Sequence, residues 1–482
     1  MVKKLFSDSL IYALGPQLPK IVSLFLYPIL TEHLTAVDYG IYGLIISYIS
    51  LVSFLKEMGL NIIFFNSFYE YPGRYKIVWR HLLGFLYNWA IVYGGILALA
   101  IWLAVPAEAT PKVMEVIMWV CIPAVLFENT ITVGAYFYRA QSRPLPVVFI
   151  SAAVGCVTVF SNYISIVYFE MGYMGWFISL FISSLVSFLL YAFFLYFKHG
   201  FYPILKIRVR YIKKYLKVAL PLIPHNYAGY LLDSSDRAIM KIVRIGTSKI
   251  GLYNLAYLFA NYFGMFEFAI GQAAAPIFMK LYHEKNFLEA RRLAFVIQSV
   301  FFIVSFLSCL WIREIFKLMV HNDDMQAAYP IAIVLIMAYN YRPMYYVSTN
   351  YLFYQEKTMT LMKISFTSAL INIVLNFYFL PRYGIMAGAI TTFLCLVLLG
   401  YAGFFLKSFK QNMRLNHFPI LWLTIMMSLT LVVYFLKDLS VSSKIVISFS
   451  ILVVAGTLAF RFRNFFYTES YYSQICHWLK CS

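Results

Sequence analysis

Residues 173–197 read YMGWFISLFISSLVSFLLYAFFLYF, a run without a charged side chain. A helix of this length crosses the hydrocarbon core of a bilayer, which is about 30 Å thick. Apolar side chains fill the run continuously and do not alternate with polar ones, so a strand of a membrane barrel is excluded. The segment is predicted to be a transmembrane α-helix.

Similar runs recur along the 482-residue chain, in which 62% of the residues are hydrophobic and 12% are charged. Soluble domains carry about 25% charged residues, so most of this surface is expected to face lipid. The predicted fold class is an all-α membrane protein with about 14 transmembrane helices. The predicted spans are 9–30, 39–58, 81–104, 113–138, 145–169, 173–197, 216–240, 250–278, 293–312, 327–353, 359–380, 384–406, 418–436 and 444–461.

The formal net charge of +19 is concentrated in the loops. With a cytoplasmic N-terminus, about 25 basic residues fall in inner loops and about nine in outer loops, as the positive-inside rule requires. Topology therefore accounts for most of the charge, and nucleic acid is not expected as a partner. We expect a multi-pass protein of the cell inner (cytoplasmic) membrane, with both termini cytoplasmic.

An internal repeat divides the chain. The second predicted span opens with YGIYGL at 39–44 and the eighth opens with IGLYNL at 250–255. The second motif recurs six spans after the first. Because six is even, both units enter the membrane from the same side, as parallel repeats around a central cavity do. The predicted divisions are an N-terminal six-helix lobe at 1–197, a basic cytoplasmic linker at 198–215, a C-terminal six-helix lobe at 216–406, and two extra helices with a tail at 407–482.

Several motifs resemble those of a known family. ALPLIPH at 219–225, followed by DSSDR at 233–237, resembles the seventh helix of polysaccharide-exporting flippases, as do YGIY at 39–42 and GLY at 251–253. These flippases form the O-antigen-type branch of the multidrug/oligosaccharidyl-lipid/polysaccharide (MOP) exporter superfamily. The resemblance implies an ion-driven flippase for undecaprenyl-pyrophosphate-linked oligosaccharide repeat units. The implied partners are that lipid-linked substrate, a coupling cation (H⁺ or Na⁺), membrane lipids and other polysaccharide-assembly proteins.

Two cations fall in the middle of predicted spans, where a charge costs at least about 2.5–3.5 kcal/mol. Lys20 lies in the first span and Arg342 in the tenth. Facing one cavity from opposite lobes, they would suit a pyrophosphate, with Arg342 able to bind it bidentately. The alternative is that each pairs with a buried carboxylate. On the tenth span, Tyr345, Tyr346 and Thr349 share the stripe of Arg342 and are predicted to bind sugar.

Candidate ion-coupling or gating groups lie on three spans: Asp233, Asp236, Arg237 and His225 on the seventh, Glu128 on the fourth, and Glu267 on the eighth. Asp233 and Arg237 are four apart and are predicted to form an intrahelical ion pair. Asp236, closer to the outer surface, is left without a local partner. Either Asp236 or His225 is a proton-coupling group, or Asp236 forms a salt bridge at the headgroup level. The two glutamates either bind the coupling ion or neutralise a buried cation.

Other polar residues receive structural interpretations. Lys56 and Lys363 are expected to reach the cytoplasmic interface. Asn372 and Asn376, four apart, are expected to form interhelical hydrogen bonds. Cys476 and Cys481 flank His477 with a spacing that fits no metal motif well, so neither a metal nor a cofactor is expected.

Three functions compete at this point. A flippase accounts for the mid-membrane cations. A multidrug or organic-cation exporter of the same superfamily would need a cavity dominated by carboxylates. An enzyme is not expected, because the longest outer segment, at about 313–326, is short and the sequence contains no metal cluster, nucleophile elbow or phosphate loop.

Overall fold

The chain folds almost entirely into helices, because a backbone surrounded by lipid finds hydrogen-bond partners only within itself. The structure is a computed structural model that describes residues 18–141, 143–206, 209–220, 223–406, 409 and 416–461. We number sixteen helical segments within these ranges, several of them interrupted: α1 Leu18–His33, α2 Ala36–Glu70, α3 Tyr75–Ala104, α4 Ala107–Ala140, α5 Leu145–Tyr168, α6 Tyr173–Lys198, α7 Val209–Ala219, α8 Ile223–Ile242, α9 Thr247–His283, α10 Phe287–Leu310, α11 Ile312–Met319, α12 329–354, α13 Thr358–Tyr383, α14 Ile385–Phe405, α15 Pro419–Leu436 and α16 Val441–Arg461.

All of these segments except α7 and α11 coincide with the predicted spans, which confirms the all-α membrane fold. In the described part of the chain, nine helices are long and apolar enough to cross a bilayer by length and composition alone. The spans below that threshold are α1, α8, α9, α12 and α16. Three of them, α8, α9 and α12, carry the charged residues of the candidate site described below.

One of these interruptions lies near the middle of a span. In α2 the helix breaks after Glu57, where Met58 and Gly59 adopt left-handed backbone angles (φ 51° and 72°). A Cβ on Gly59 would lie 2.6 Å from the carbonyl oxygen of Ala219. Both this close approach and the left-handed backbone conformation therefore require glycine at this position. Interrupted spans are where transporters expose polar groups to a cavity.

The predicted outer ends of α2 and α9 cross in close contact. A Cβ on Gly251 of α9 would lie 1.7 Å from the carbonyl oxygen of Ala36, and one on Gly40 of α2 would lie 2.1 Å from the carbonyl oxygen of Thr247. Glycine at these positions lets the two backbones approach to a distance that larger residues prevent. The first turns of α2 and α9 are therefore in direct backbone contact.

Helix α7 is amphipathic. Ile212 and Ala219 are buried against the cluster formed by α2 to α6, whereas the basic side chains Arg210, Lys213, Lys214 and Lys217 are exposed. This pattern is typical of a helix in the headgroup region. The division of the chain into two lobes joined by the segment 198–215 stays a prediction.

Helices α15 and α16 are attached to the bundle by an ion pair. Lys444 of α16 is fully buried, and its Nζ lies 2.7 Å from Glu314 Oε2 on α11. Nearby, Tyr329 donates a 2.6 Å hydrogen bond to Asp438, which lies between α15 and α16. The outward faces of both helices are apolar and exposed, as expected for side chains that face lipid.

Candidate functional site

Two polar cavities have Asp233 of α8 in their walls, one among α1, α8, α9 and α12 and the other among α2, α4 and α8. The first, which we call the Arg342 cavity, encloses about 410 Å³. Its walls include Ser23, Tyr27, Asp233, Asn261, Tyr262, Glu267, Tyr339 and Arg342. The second, the Glu57 cavity, encloses about 510 Å³. Its walls include Ser53, Glu57, Asn61, Tyr136, Tyr230 and Asp233.

Arg342 is placed by an interruption of α12. It follows the short 3₁₀ turn Tyr339–Tyr341 and precedes Pro343, which has no N–H to donate to the carbonyl one turn earlier. Its Nε lies 3.3 Å from Glu267 Oε1 on α9, and 30% of its side chain remains exposed in the cavity. Its terminal nitrogens form no hydrogen bond with the described residues, so they are available to an anion.

Glu267 is the buried partner of this arginine. Its side chain is 8% exposed. Tyr346 donates its hydroxyl to the Glu267 carboxylate and also lies 2.9 Å from the Glu267 carbonyl oxygen. The carboxylate therefore neutralises Arg342, one of the two roles that the sequence leaves open for it.

The predicted sugar-binding stripe on α12 has other contacts. The ring of Tyr345 lies 5.7 Å from the Arg342 guanidinium carbon. Tyr346 is engaged by Glu267. The Thr349 hydroxyl is buried without a hydrogen-bond partner among the described residues. These three side chains are absent from the described walls of both cavities, and their role in substrate binding stays a prediction.

Asp233 faces the cavities and is solvent-exposed there, although it lies in the middle of α8. Its carboxylate accepts a 3.1 Å hydrogen bond from the Tyr257 hydroxyl. The predicted ion pair with Arg237 is wrong. Arg237 donates instead to the Asp233 carbonyl oxygen (3.0 Å), and its guanidinium carbon lies 4.2 Å from the centre of the Tyr257 ring. The guanidinium thus packs on the Tyr257 ring and forms no ion pair with the described Asp233 carboxylate.

Asp236, one turn further along α8, is fully buried. Its carboxylate accepts hydrogen bonds from Tyr253 of α9 (2.5 Å), Asn376 of α13 (2.6 Å) and Thr392 of α14 (2.7 Å). The predicted alternative of a salt bridge at the headgroup level is therefore wrong. Neutral donors from three other helices satisfy this carboxylate, and we call the group the Asp236 cluster.

Two asparagines extend the Asp236 cluster. Asn376 donates to Asn372 (3.1 Å) as well as to Asp236, and it accepts a 2.5 Å bond from Thr391. Asn372 in turn accepts a 3.4 Å bond from Ser235 of α8. The expected interhelical role of both asparagines is confirmed, and it ties α8, α13 and α14 together.

Glu128 lies elsewhere in the protein. It forms an ion pair with Lys56 at the wall of a third cavity of about 250 Å³ among α2, α3, α4 and α6. The expected snorkelling of Lys56 to the cytoplasmic interface is wrong, because the half-buried carboxylate of Glu128 on α4 is within reach. Glu128 thus neutralises a cation, and its part in ion coupling stays a prediction.

Two predicted site residues, Lys20 on α1 and His225 on α8, have side chains outside the described part of the structure.

The structure also adds groups that the sequence analysis overlooked. Glu57 accepts a 2.5 Å hydrogen bond from Tyr136, and both line the Glu57 cavity with Asn61 and Tyr230. The available signal was the sequence KEMG at 56–59, two charges followed by a glycine inside an apolar span, which is typical of a broken helix at a binding site.

An all-helical membrane bundle that encloses charged cavities between interrupted helices is a membrane transporter. The family model described as "Polysaccharide biosynthesis protein" matches residues 5–282, and the chain belongs to this family. A second model, MatE, matches residues 237–378. No curated protein matches the chain.

Solved structures share the fold at low sequence identity. The lipid II flippase MurJ in an inward closed conformation is 13% identical with a TM-score of 0.74, over 95% of this chain and 99% of that one. An inward-facing multidrug resistance MATE family transporter of the MOP superfamily is 14% identical with a TM-score of 0.54, over 88% and 94%. A MOP superfamily transporter from Pyrococcus furiosus gives the same identity and TM-score over 88% and 96%. The fold is that of the MOP superfamily.

Proposed function

We propose that this transporter is a flippase that moves undecaprenyl-pyrophosphate-linked oligosaccharide repeat units across the cell inner membrane by ion-coupled alternating access. Both termini are cytoplasmic in this proposal, and the contact between α2 and α9 then closes the outer side, in a state that loads from the inside. The observation that carries the proposal is Arg342, a guanidinium that lines a cavity inside the membrane and keeps its terminal nitrogens free of the described residues.

The chemistry of Arg342 suits a pyrophosphate. A guanidinium forms two parallel hydrogen bonds with phosphate oxygens, and hydrogen bonds to charged groups contribute about 1.5–3 kcal/mol each. Glu267 forms an ion pair with the arginine on its Nε side, and the terminal nitrogens form no hydrogen bond with the described residues, which leaves them for the ligand. Membership of the polysaccharide biosynthesis family supports a lipid-linked sugar as the source of that pyrophosphate.

The Asp236 cluster is our candidate for the coupling site. It brings one carboxylate together with hydroxyl and amide groups from α9, α13 and α14, and these are the groups that bind a proton or a Na⁺ ion. Loading or release of the cation changes the charge at a junction of four helices. A ligand shifts a conformational equilibrium only by binding the two states differently, and a junction of this kind differs between states whenever the helices move.

A multidrug or organic-cation exporter is the second candidate. The described walls of the two cavities carry three carboxylates, those of Asp233, Glu57 and Glu267, against the single cation of Arg342. Carboxylates are what an organic cation requires. We rank this function second because Glu267 is already engaged by Arg342 and because the family match covers more than half of the chain.

The test is the pool of lipid-linked sugar in a host strain lacking this protein, with the glycosyltransferases intact. We expect polyprenyl-pyrophosphate-oligosaccharide to accumulate on the cytoplasmic leaflet. The wild-type protein should relieve the accumulation and Arg342→Ala should not, whereas the exposed-cation control Lys363→Ala should behave as wild type. Lys20→Ala in the same assay tests the predicted second cation. An unchanged pool together with increased sensitivity to cationic drugs would favour the exporter.

A further inference from the structure

The Glu57 cavity differs in charge from the neighbouring Arg342 cavity. Its described walls contain the carboxylates of Glu57 and Asp233 and no basic side chain. Lys56, the neighbour of Glu57 in sequence, points away from this cavity and pairs with Glu128. An anionic group placed in the Glu57 cavity would therefore meet like charges.

The uncharged groups of this cavity are those that bind carbohydrates. Tyr136 directs its hydroxyl to one Glu57 oxygen at 2.5 Å, which leaves the second oxygen of the carboxylate as an acceptor. Asn61 adds an amide with both donors and an acceptor. Tyr230 is 48% exposed and supplies an aromatic face. Sugar rings stack on such faces while their hydroxyls bond to carboxylates and amides.

The two cavities are adjacent, so they can bind the phosphates and the glycan of one ligand. Asp233 lies in the walls of both, so a molecule held at Arg342 by its phosphates reaches the Glu57 cavity by passing this residue. The volume of about 510 Å³ is within the range of roughly 300–1,000 Å³ in which proteins enclose small ligands.

We propose that the Glu57 cavity is the glycan subsite of the transporter and that it accepts repeat units whose first sugars carry no carboxylate. This inference rests on the proposed flippase function. Glu57 is the specificity-determining residue, since like charges brought together in a site of low dielectric constant strongly disfavour binding. Tyr230 binds neutral and acidic glycans alike, because stacking does not depend on a distant charge.

Three lipid probes separate the contributions: bare undecaprenyl pyrophosphate, the same lipid carrying a neutral N-acetylated disaccharide, and the same lipid carrying a disaccharide with one uronic acid. Binding is measured by native mass spectrometry of the full-length protein in nanodiscs. We expect the wild type to prefer the neutral over the acidic glycan by about tenfold or more, as one like-charge contact predicts. Glu57→Gln should reduce this preference to about threefold or less without changing the binding of bare undecaprenyl pyrophosphate.

Two further variants keep the test decisive. Tyr230→Ala, at a half-exposed position that tolerates truncation, should weaken both glycan lipids and leave the bare lipid unaffected. Glu115→Gln, at an exposed position at the start of α4, is the matched control and should change nothing. Equal binding of the neutral and acidic glycans by the wild type, or an unchanged preference in Glu57→Gln, overturns the subsite. Failure to bind any of the three probes overturns the proposed flippase function itself.

Discussion

Asp233 and Asp236 lie three residues apart on α8, yet they occupy opposite environments. Asp233 is exposed in the walls of two cavities and accepts one described hydrogen bond, from Tyr257. Asp236 is fully buried and accepts three. Three residues correspond to about 300° of rotation in an α-helix, so the two side chains point about 60° apart. This rotation places Asp233 at the cavity wall and Asp236 at the junction with α9, α13 and α14.

The comparison shows that a carboxylate in the membrane can be accommodated in two ways. Asp233 is exposed in the Arg342 cavity, whose walls also carry the Arg342 guanidinium. Converging neutral donors serve Asp236. The first environment tolerates exchange of a ligand, whereas the second stabilises one arrangement of four helices. We therefore propose that Asp233 contacts the substrate and that Asp236 takes part in ion-dependent switching.

The largest expected effect is on stability. Asp236→Leu leaves three buried donors without an acceptor, and each unsatisfied buried group costs about 1–3 kcal/mol, so a loss of about 3 kcal/mol or more is expected. Asp233→Leu removes one bond at a cavity wall and should cost about 1 kcal/mol. Thermal unfolding of the purified variants, followed by tryptophan fluorescence, measures the difference. Equal losses of stability in Asp236→Leu and Asp233→Leu would show that the two carboxylates do not differ in environment.

A second comparison separates binding from stability at Arg342. Arg342→Ala leaves Glu267 as a buried unpaired charge, and we expect a stability loss of about 2 kcal/mol because the pair is only partly buried. The double variant Arg342→Ala with Glu267→Ala should recover most of that loss. Neither variant should bind undecaprenyl pyrophosphate.

Arg342→Lys is the conservative variant to compare with Arg342→Ala. It keeps the charge but loses the bidentate geometry, so we expect about a tenfold loss of affinity for undecaprenyl pyrophosphate. If Arg342→Ala bound undecaprenyl pyrophosphate with full affinity, Arg342 would not belong to the substrate site.

The predicted spans agree with the structure because the bilayer itself constrains them: length and continuous apolarity are properties of local sequence. The partners of the buried charges depend on tertiary packing. Thr392 is 156 residues from Asp236, and Glu128 is 72 residues from Lys56. Helical spacing favours an ion pair between Asp233 and Arg237, but the Tyr257 ring draws the guanidinium elsewhere.

A smaller effect tests the same comparison at the level of single hydroxyl groups. Tyr253 donates to Asp236 and Tyr257 donates to Asp233, one turn apart on α9. Tyr253→Phe should lower the free energy of unfolding by about 1–2 kcal/mol, because a fully buried carboxylate loses a donor that water cannot replace. Tyr257→Phe should lower it by about 0.5 kcal/mol, because cavity water can take the place of the hydroxyl. The reverse order would show that Asp233 is the more tightly packed carboxylate.

Reconstituted transport tests the central claim most directly. Proteoliposomes are loaded with undecaprenyl-pyrophosphate-linked oligosaccharide, and arrival of the glycan in the opposite leaflet is followed with an impermeant glycosidase, with and without a proton or Na⁺ gradient. We predict translocation by the wild type that one of the two gradients accelerates. Asp236→Asn should keep the fold and lose the acceleration, and Arg342→Ala should lose translocation. No translocation of this lipid, in vesicles where the same protein moves a cationic dye, would contradict the account.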